Sequence, residues 1–443
     1  MSVSEPRVVE AFKAWLVENG AHVHPDVRFE PVPSGFNVIA GSDVPADTTV
    51  VSIPFSLAIT PDVAKVALKA LFQGVIESHS LDALSERQLV CTYICMHQIV
   101  QDTAPGSHEG VLRHGPYIDT LPSADKLRTP LHFSSVELEA FRGSNLFGAT
   151  LDRQRDWQAE WEQCRAAVTA VNPSWGEALT WDRYLTASTY LSSRAFPSTV
   201  LSENPSLVTT PSSYPVLLPG IDALNHARGY PVSWVVSSAN FATSSASSSS
   251  EPSILLVIHA ATPRGSELLN NYGPKPNAEL ILGYGFSLPH NPDDTIVLKI
   301  GGPSASHGSA SAPIGGKWEV GRGARGAEPV WEAVLAAVRA QDEEEDEYMD
   351  EEEDGPSIED ELCAADMLAE MAQSLFDRLP PFPPANSPEM RPEVLQMLEH
   401  YLEGQRDILQ SLVEFANAKE ASALQKAREQ GLDIVAEEDE EEE

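Results

Sequence analysis

The chain has 443 residues, 42% of them hydrophobic, with a formal net charge of −37. That length and apolar content suffice for two or three folded domains. No apolar run approaches the roughly 18 residues of a membrane span, and no basic stripe stands out for direct nucleic-acid binding. The N-terminal stretch MSVSEPRVVEAFKAWLVENG is charged throughout, unlike a basic stub followed by an apolar signal core. Cys91, Cys95, Cys164 and Cys363 lack zinc-ligand spacing with any histidine cluster. Cys91 and Cys95, four apart on an expected helix, read as buried thiols. His22 and His24 form an isolated H-x-H, so no metal is expected. These features predict a soluble cytoplasmic protein, with the nucleus as a further location.

In chain order, residues 7–20 form an amphipathic helix. Between 25 and 60, the runs VRFEPV, FNVIAG and TTVVSIP lie between Pro, Gly and Asp, which predicts short strands and tight turns. From about 61 to 210 helical spacing dominates, over 63–78, 85–101, 134–145, 151–171 and 181–193. The β signals return with YPVLLPGIDAL, PVSWVV and SILLVIHAA. The last two flank a Ser-rich stretch, 237–253, expected to be a flexible loop. A second low-complexity stretch at 301–316 lies inside an expected linker, 291–327. Helical patterns then resume at 328–340, 358–378 and 391–430. The two β parts are small and far apart in sequence, which predicts one split β domain.

The charge is concentrated. Residues 342–354 hold 11 acids in 13 positions and the tail 437–443 holds seven more, leaving −19 for the rest. Such blocks repel themselves and cannot bury, which predicts an acidic loop at 342–354 and a disordered tail over 431–443. They favour solubility, and they would also attract a basic partner chiefly through encounter rate.

Three clusters hold side chains suited to chemistry. In Leu218-Pro219-Gly220-Ile221-Asp222-Ala223-Leu224-Asn225-His226 a β-like run ends in a carboxylate, an amide and an imidazole. Asp and Asn also serve turns. In Asn270-Asn271-Tyr272-Gly273-Pro274 and Gly283-Tyr284-Gly285-Phe286, two tyrosines precede glycines, a pattern that packed core aromatics also produce. Ser193-Arg194-Ala195-Phe196 closes a helix, where a single Arg is also a common cap.

Taken in order, these clusters resemble the SET protein methyltransferases. The subclass is that of the Rubisco large-subunit methyltransferase, the actin-histidine methyltransferase and the fungal ribosomal-lysine methyltransferases. Phe12-Lys13-Ala14-Trp15-Leu16, Ser52-Ile53-Pro54 and Pro116-Tyr117-Ile118-Asp119-Thr120-Leu121-Pro122 extend the likeness over nearly the whole chain. The resemblance implies an α+β fold. A split, mainly-β SET domain (1–290) would carry the helical insert. An all-α C-terminal domain (328–430) with disordered acidic segments would follow, and would stand where histone-type enzymes place a cysteine-rich zinc motif.

It also implies roles. S-adenosyl-L-methionine would be the cofactor, bound by Gly35, Phe36, Asn37, Arg194, Asp222, Asn225, His226 and Tyr272. Asn37 stands where the family's G-x-G turn has its second glycine, and Asn tolerates positive φ better than most residues. Arg194 matches the arginine that pairs with the cofactor's carboxylate, a task its planar fork suits. Tyr272 matches the catalytic tyrosine. Phe196, Tyr284 and Phe286 match the aromatic walls of the substrate channel, and phenylalanine at 286 accords with more than one methyl transfer. The implied activity is protein-lysine N-methylation on a basic, non-histone partner such as a ribosomal or translation protein, by a monomer. Two alternatives stay open: histidine as acceptor, and a catalytically weak SET scaffold that binds basic proteins through its acidic segments.

Overall fold

Alternating side chains build the first hairpin. In β2 (Val27–Val32), which follows the two-residue β1 (His22–Val23), Val27 and Phe29 point inward while Arg28 and Glu30 face water. β2 pairs antiparallel with β3 (Gly35–Ala40), Glu30 lying opposite Asn37. This is a computed structural model describing residues 5–72, 79–106, 108, 110–237, 251–300, 316–345 and 355–432. Its contacts divide the chain into two units: Met1–His132, Thr150–Pro274 and Leu282–Gly285 in one, Phe133–Ala149, Lys275–Ile281 and Phe286–Glu443 in the other.

In the first unit, β4 (Thr48–Pro54) is the structural centre. It pairs with β1 on one side and with β8 (Ser253–Ile258) on the other, and β8 carries β7 (Val232–Ser237) at the edge. Strands from both sides of the helical region thus share one antiparallel sheet. The central strands are nearly continuous apolar runs, as burial of both faces requires. A small hairpin joins β5 (Phe196–Pro197) to β6 (Pro215–Val216).

Three helices of the first unit start where side chains satisfy orphan backbone donors. Thr60 caps Pro61–Leu71, Ser85 and Gln88 form a capping box for Glu86–Thr103, and Thr180 caps Trp181–Arg194. Residues 184–191 of the last helix are all buried, which fixes its axis and so the position of its C-terminal Arg194.

The second unit contains Ala327–Glu345, Ile358–Asp377 and Pro392–Glu429, packed with a hairpin of β9 (Thr295–Lys299) and β10 (Lys317–Gly321). That hairpin corrects one expectation. Residues 291–327 are not simply a linker but hold both of its strands, while the described elements within 328–430 are helices. Ile296, Leu298 and Val320 are buried on its inner face, and a low-complexity insertion between two five-residue strands hid the alternation. The helix Ala327–Glu345 also runs into the block expected to be an acidic loop from 342, because Glu is a good helix former.

The run YPVLLPGIDAL is less regular than expected. Only Pro215–Val216 is strand; Pro219 cannot donate, Gly220 takes φ +91°, and Ile221–Ala223 forms a 3-10 turn. The helix expected over 63–78 ends at Leu71, and 73–78 lie outside the described residues. So do 238–250 of the Ser-rich loop, 301–315, 346–354 of the acidic block and 433–443 of the tail.

Candidate active site

Gly220 sets up the first part of the site. A Cβ there would meet Val51, Leu16 and Phe12 at 3.4–3.8 Å, and its φ of +91° is strained for any L side chain. The turn it allows folds Asp222 inward. The carboxylate, 1% exposed, accepts from Gly220 N (3.2 Å) through Oδ1 and from the Tyr117 hydroxyl through Oδ2. Arg194, leaving the helix end, donates from Nη1 to the Asp222 carbonyl at 3.1 Å and lies 3.7 Å from Oδ2. Burial pushes the Asp222 carboxyl up from its ordinary range, and Arg194, Tyr117 and the Gly220 amide pull against it. The side chain therefore has no face for a ligand. Asp222, expected among the cofactor-binding residues, is thus placed with its carboxylate turned toward Tyr117, Gly220 and Arg194.

The second part is a set of crossing backbone segments. β3 pairs through Ala40 and Val38 with 265–268, by Ala40 N to Ser266 O (2.9 Å) and Leu268 N to Val38 O (2.8 Å). The same segment continues to Asn270, which donates to Asn225 O at 2.7 Å and accepts from Ala227 N at 2.8 Å. His226 and Asn270 are thus parallel bridge partners. Across these segments, Asn225 Nδ2 donates to Asn37 Oδ1 (3.1 Å) and Glu267 Oε1 (2.7 Å).

The third part is a stack of three rings. His226 and Tyr272 lie 5.0 Å apart at 25°, and Tyr272 and Tyr284 lie 5.2 Å apart at 27°. Tyr272 N donates to His226 Nδ1 at 3.0 Å, which requires that nitrogen to be unprotonated. Tyr272 Oη donates to the Leu224 carbonyl at 2.9 Å. Burial, opposed by Arg194, holds the phenol pKa above its ordinary value, so Tyr272 is neutral near pH 7. Tyr284 is held from below: Arg153 donates to Leu282 O at 2.8 Å, and Gly285, at φ +80°, lets the chain pass so close that a Cβ would sit 2.8 Å from the Arg128 carbonyl carbon.

The structure therefore brings Asn37, Arg194, Asp222, Asn225, His226, Tyr272 and Tyr284 into the first unit's crossing region. The remaining expected residues are placed differently. Gly35 opens β3 with φ +139°, and Phe36 packs edge-on against Phe29. Asn37 has no positive φ; it lies within β3, so the expected left-handed turn at that position is absent and its side chain holds Asn225 instead. Phe196 is buried edge-on against Trp234. Phe286 falls in the second unit.

Four participants had no assigned role in the sequence reading: Tyr117, the Leu224 carbonyl, Glu267 and Asn270. Asn270 is fully buried, and its Nδ2 has no partner among the described residues. An Asn-Asn pair directly before Tyr272 was the available signal. Among the described residues no group of three or more metal-ligating side chains occurs, and no helix is long and apolar enough to cross a membrane.

This architecture is that of the SET methyltransferase domains. The chain matches the SET domain of LSMT bound to lysine and AdoHcy with a TM-score of 0.71 at 17% identity, over 96% of each chain. It matches Rubisco LSMT bound to AdoMet at 0.70, also at 17% identity, over 97% of this chain and 98% of the other. In sequence it is 30% identical to ribosomal lysine N-methyltransferase set10 of Schizosaccharomyces pombe over 307 residues, 67% of this chain and 49% of that one. It is 27% identical to ribosomal lysine N-methyltransferase 1 of Saccharomyces cerevisiae, over 42% of this chain and 34% of that one. To the actin-histidine N-methyltransferase of Mus musculus it is 23% identical, over 65% and 43%. The chain spans about half or less of the length of these curated relatives. No family model matches it. The relatives and the shared fold bear out the resemblance drawn from the ordered motifs.

Proposed function

We propose that the chain is an S-adenosylmethionine-dependent protein-lysine N-methyltransferase acting on a basic, non-histone protein of ribosomal or translational type. The observation that carries this reading is the guanidinium of Arg194, anchored on Asp222, in the same unit as the His226–Tyr272–Tyr284 stack. The donor set fits the cofactor. Arg194 keeps a quarter of its side chain exposed and, beyond Nη1, offers a fork for a carboxylate. Asn270 Nδ2, beside Asn225 and His226, is a buried donor without a partner among the described residues.

When bound, S-adenosylmethionine supplies a methyl carbon on a positively charged sulfur that leaves as a neutral thioether. The residues here would do the rest by orientation. Tyr272 gives its hydroxyl hydrogen to Leu224 O, so its oxygen lone pairs remain as acceptors for the incoming amine or the polarised methyl. Being neutral, Tyr272 cannot serve as a general base, so the lysine proton must leave to water before attack. The aromatic surroundings of Tyr272 favour the uncharged amine by desolvation. Alignment of this kind is worth on the order of 7–11 kcal/mol at best.

Lysine is favoured over histidine as acceptor. Both ribosomal-lysine relatives match at higher identity than the actin-histidine relative, and Phe196 supplies no polar group to hold an imidazole. The test is incubation with methyl-labelled cofactor and a ribosomal-protein fraction, followed by mass-spectrometric site mapping. Methyl-lysine is expected. Methyl-histidine would replace the acceptor, and no label in any protein would favour the scaffold alternative.

A further inference from the structure

Arginine side chains are flexible, and holding one in a single pose costs rotamer entropy. The structure shows how that freedom is removed at Arg194. Its Nη1 donates to the Asp222 carbonyl, and the same nitrogen lies 3.7 Å from the Asp222 carboxylate. The carboxylate is in turn fixed from two sides, by the Tyr117 hydroxyl and the Gly220 amide. Tyr117 is itself immobile: it is 1% exposed and its ring packs 6.1 Å from that of Phe12. Of the three side chains, only that of Arg194 reaches solvent to a useful extent, at 25% against 1% for Asp222.

We propose that Tyr117 and Asp222 are positioning residues that hold the Arg194 fork for the carboxylate of the bound amino-acid moiety, without touching the ligand themselves. This rests on the methyltransferase reading and refines one part of it. The buried carboxylate has its oxygens on Tyr117 and Gly220, with Oδ2 also 3.7 Å from Arg194 Nη1. Asp222 meets the guanidinium twice. Its own carbonyl and its carboxylate address the same guanidinium, so the turn Ile221–Ala223 delivers both acceptors at once.

The test compares two probes that share the adenosine and thioether but differ in the amino-acid part. S-adenosylhomocysteine carries the carboxylate, and 5′-methylthioadenosine lacks it. Their dissociation constants are measured calorimetrically on the full chain for wild type, Tyr117→Phe and Asp222→Asn. Tyr117→Phe removes one hydroxyl and keeps the ring packing, so it serves if Asp222→Asn does not fold. Loss of one charge-assisted contact predicts roughly tenfold weaker S-adenosylhomocysteine binding, with 5′-methylthioadenosine binding unchanged. Parallel weakening of both probes would assign the pair a merely structural role and overturn the proposal. Unchanged binding of both probes in both variants would overturn it as well. A wild-type chain that binds neither probe would instead sink the methyltransferase reading, and this refinement with it.

Discussion

Tyr272 sits between two rings and gives its only hydroxyl hydrogen to a backbone carbonyl, so its oxygen lone pairs are held at a fixed point, and the proposed function gives them the task of orienting the amine. Tyr272→Phe keeps the stack and removes that oxygen. Methyl transfer at saturating cofactor is expected to fall by roughly 10²-fold, while S-adenosylhomocysteine binding stays within about threefold. Initial rates with labelled cofactor check the first and calorimetry the second; an unchanged rate would remove Tyr272 from the chemistry. At this scale the sequence showed which residue types would gather, because Asp222, Asn225, His226 and Tyr272 stand in short ordered strings. It did not show their division of labour. Asp222 reads as a pocket acid in one dimension, and only its burial against Tyr117, 105 positions away, turns it inward. Asn37 reads as a relaxed turn residue, and only pairing with Glu30 makes it a strand residue whose amide holds Asn225.

Elements carry the site by their ends and crossings. The helix Trp181–Arg194 fixes Arg194, β3 fixes Asn37, and the passage of 282–285 beside Arg128 fixes Tyr284. Gly285→Ala tests the last of these. Its Cβ would lie 2.8 Å from a backbone carbon, at a φ of +80° that L residues resist. The variant is expected to lose about 1–3 kcal/mol of stability and to lower turnover at least ~10-fold by displacing Tyr284. Thermal denaturation together with initial rates measures both, and wild-type values for each would show that the close approach does not matter. Long periodic elements were legible from spacing alone, among them β2, β4, β8 and the helices Glu86–Thr103, Trp181–Arg194 and Pro392–Glu429. The β9–β10 hairpin was not, because its partners are separated by a Ser- and Gly-rich insertion that reads as linker. The run at 214–224 was over-read as strand, since apolar composition does not reveal a glycine at positive φ.

At the scale of the whole molecule, the second unit contains an acid-sensitive fastening. Glu137 is buried, which alone would raise its pKa. The Arg391 side chain and amide, with the Ser134 amide, overcome that and hold it at about 2 against an ordinary 4.5. A carboxyl depressed in the folded state stabilises above its unfolded pKa and loses that contribution as pH falls through the folded one. The window is therefore about pH 4.5 down to about 2. Glu137→Gln should be less stable than wild type at pH 7, with the difference shrinking steadily across that window. Melting curves of the two proteins from pH 7 to 3 measure it, and a constant offset would show that Glu137 is not the group responsible.

Arg194, held by Asp222, and the His226–Tyr272–Tyr284 stack are proposed as the binding site of a methyl donor. Calorimetric titration of the intact chain with S-adenosylhomocysteine tests it most directly. One site per chain with a dissociation constant in the micromolar range, corresponding to about −8 kcal/mol, is the predicted result, with the heat abolished in Arg194→Met. Absence of binding to the wild-type chain at millimolar ligand would contradict it.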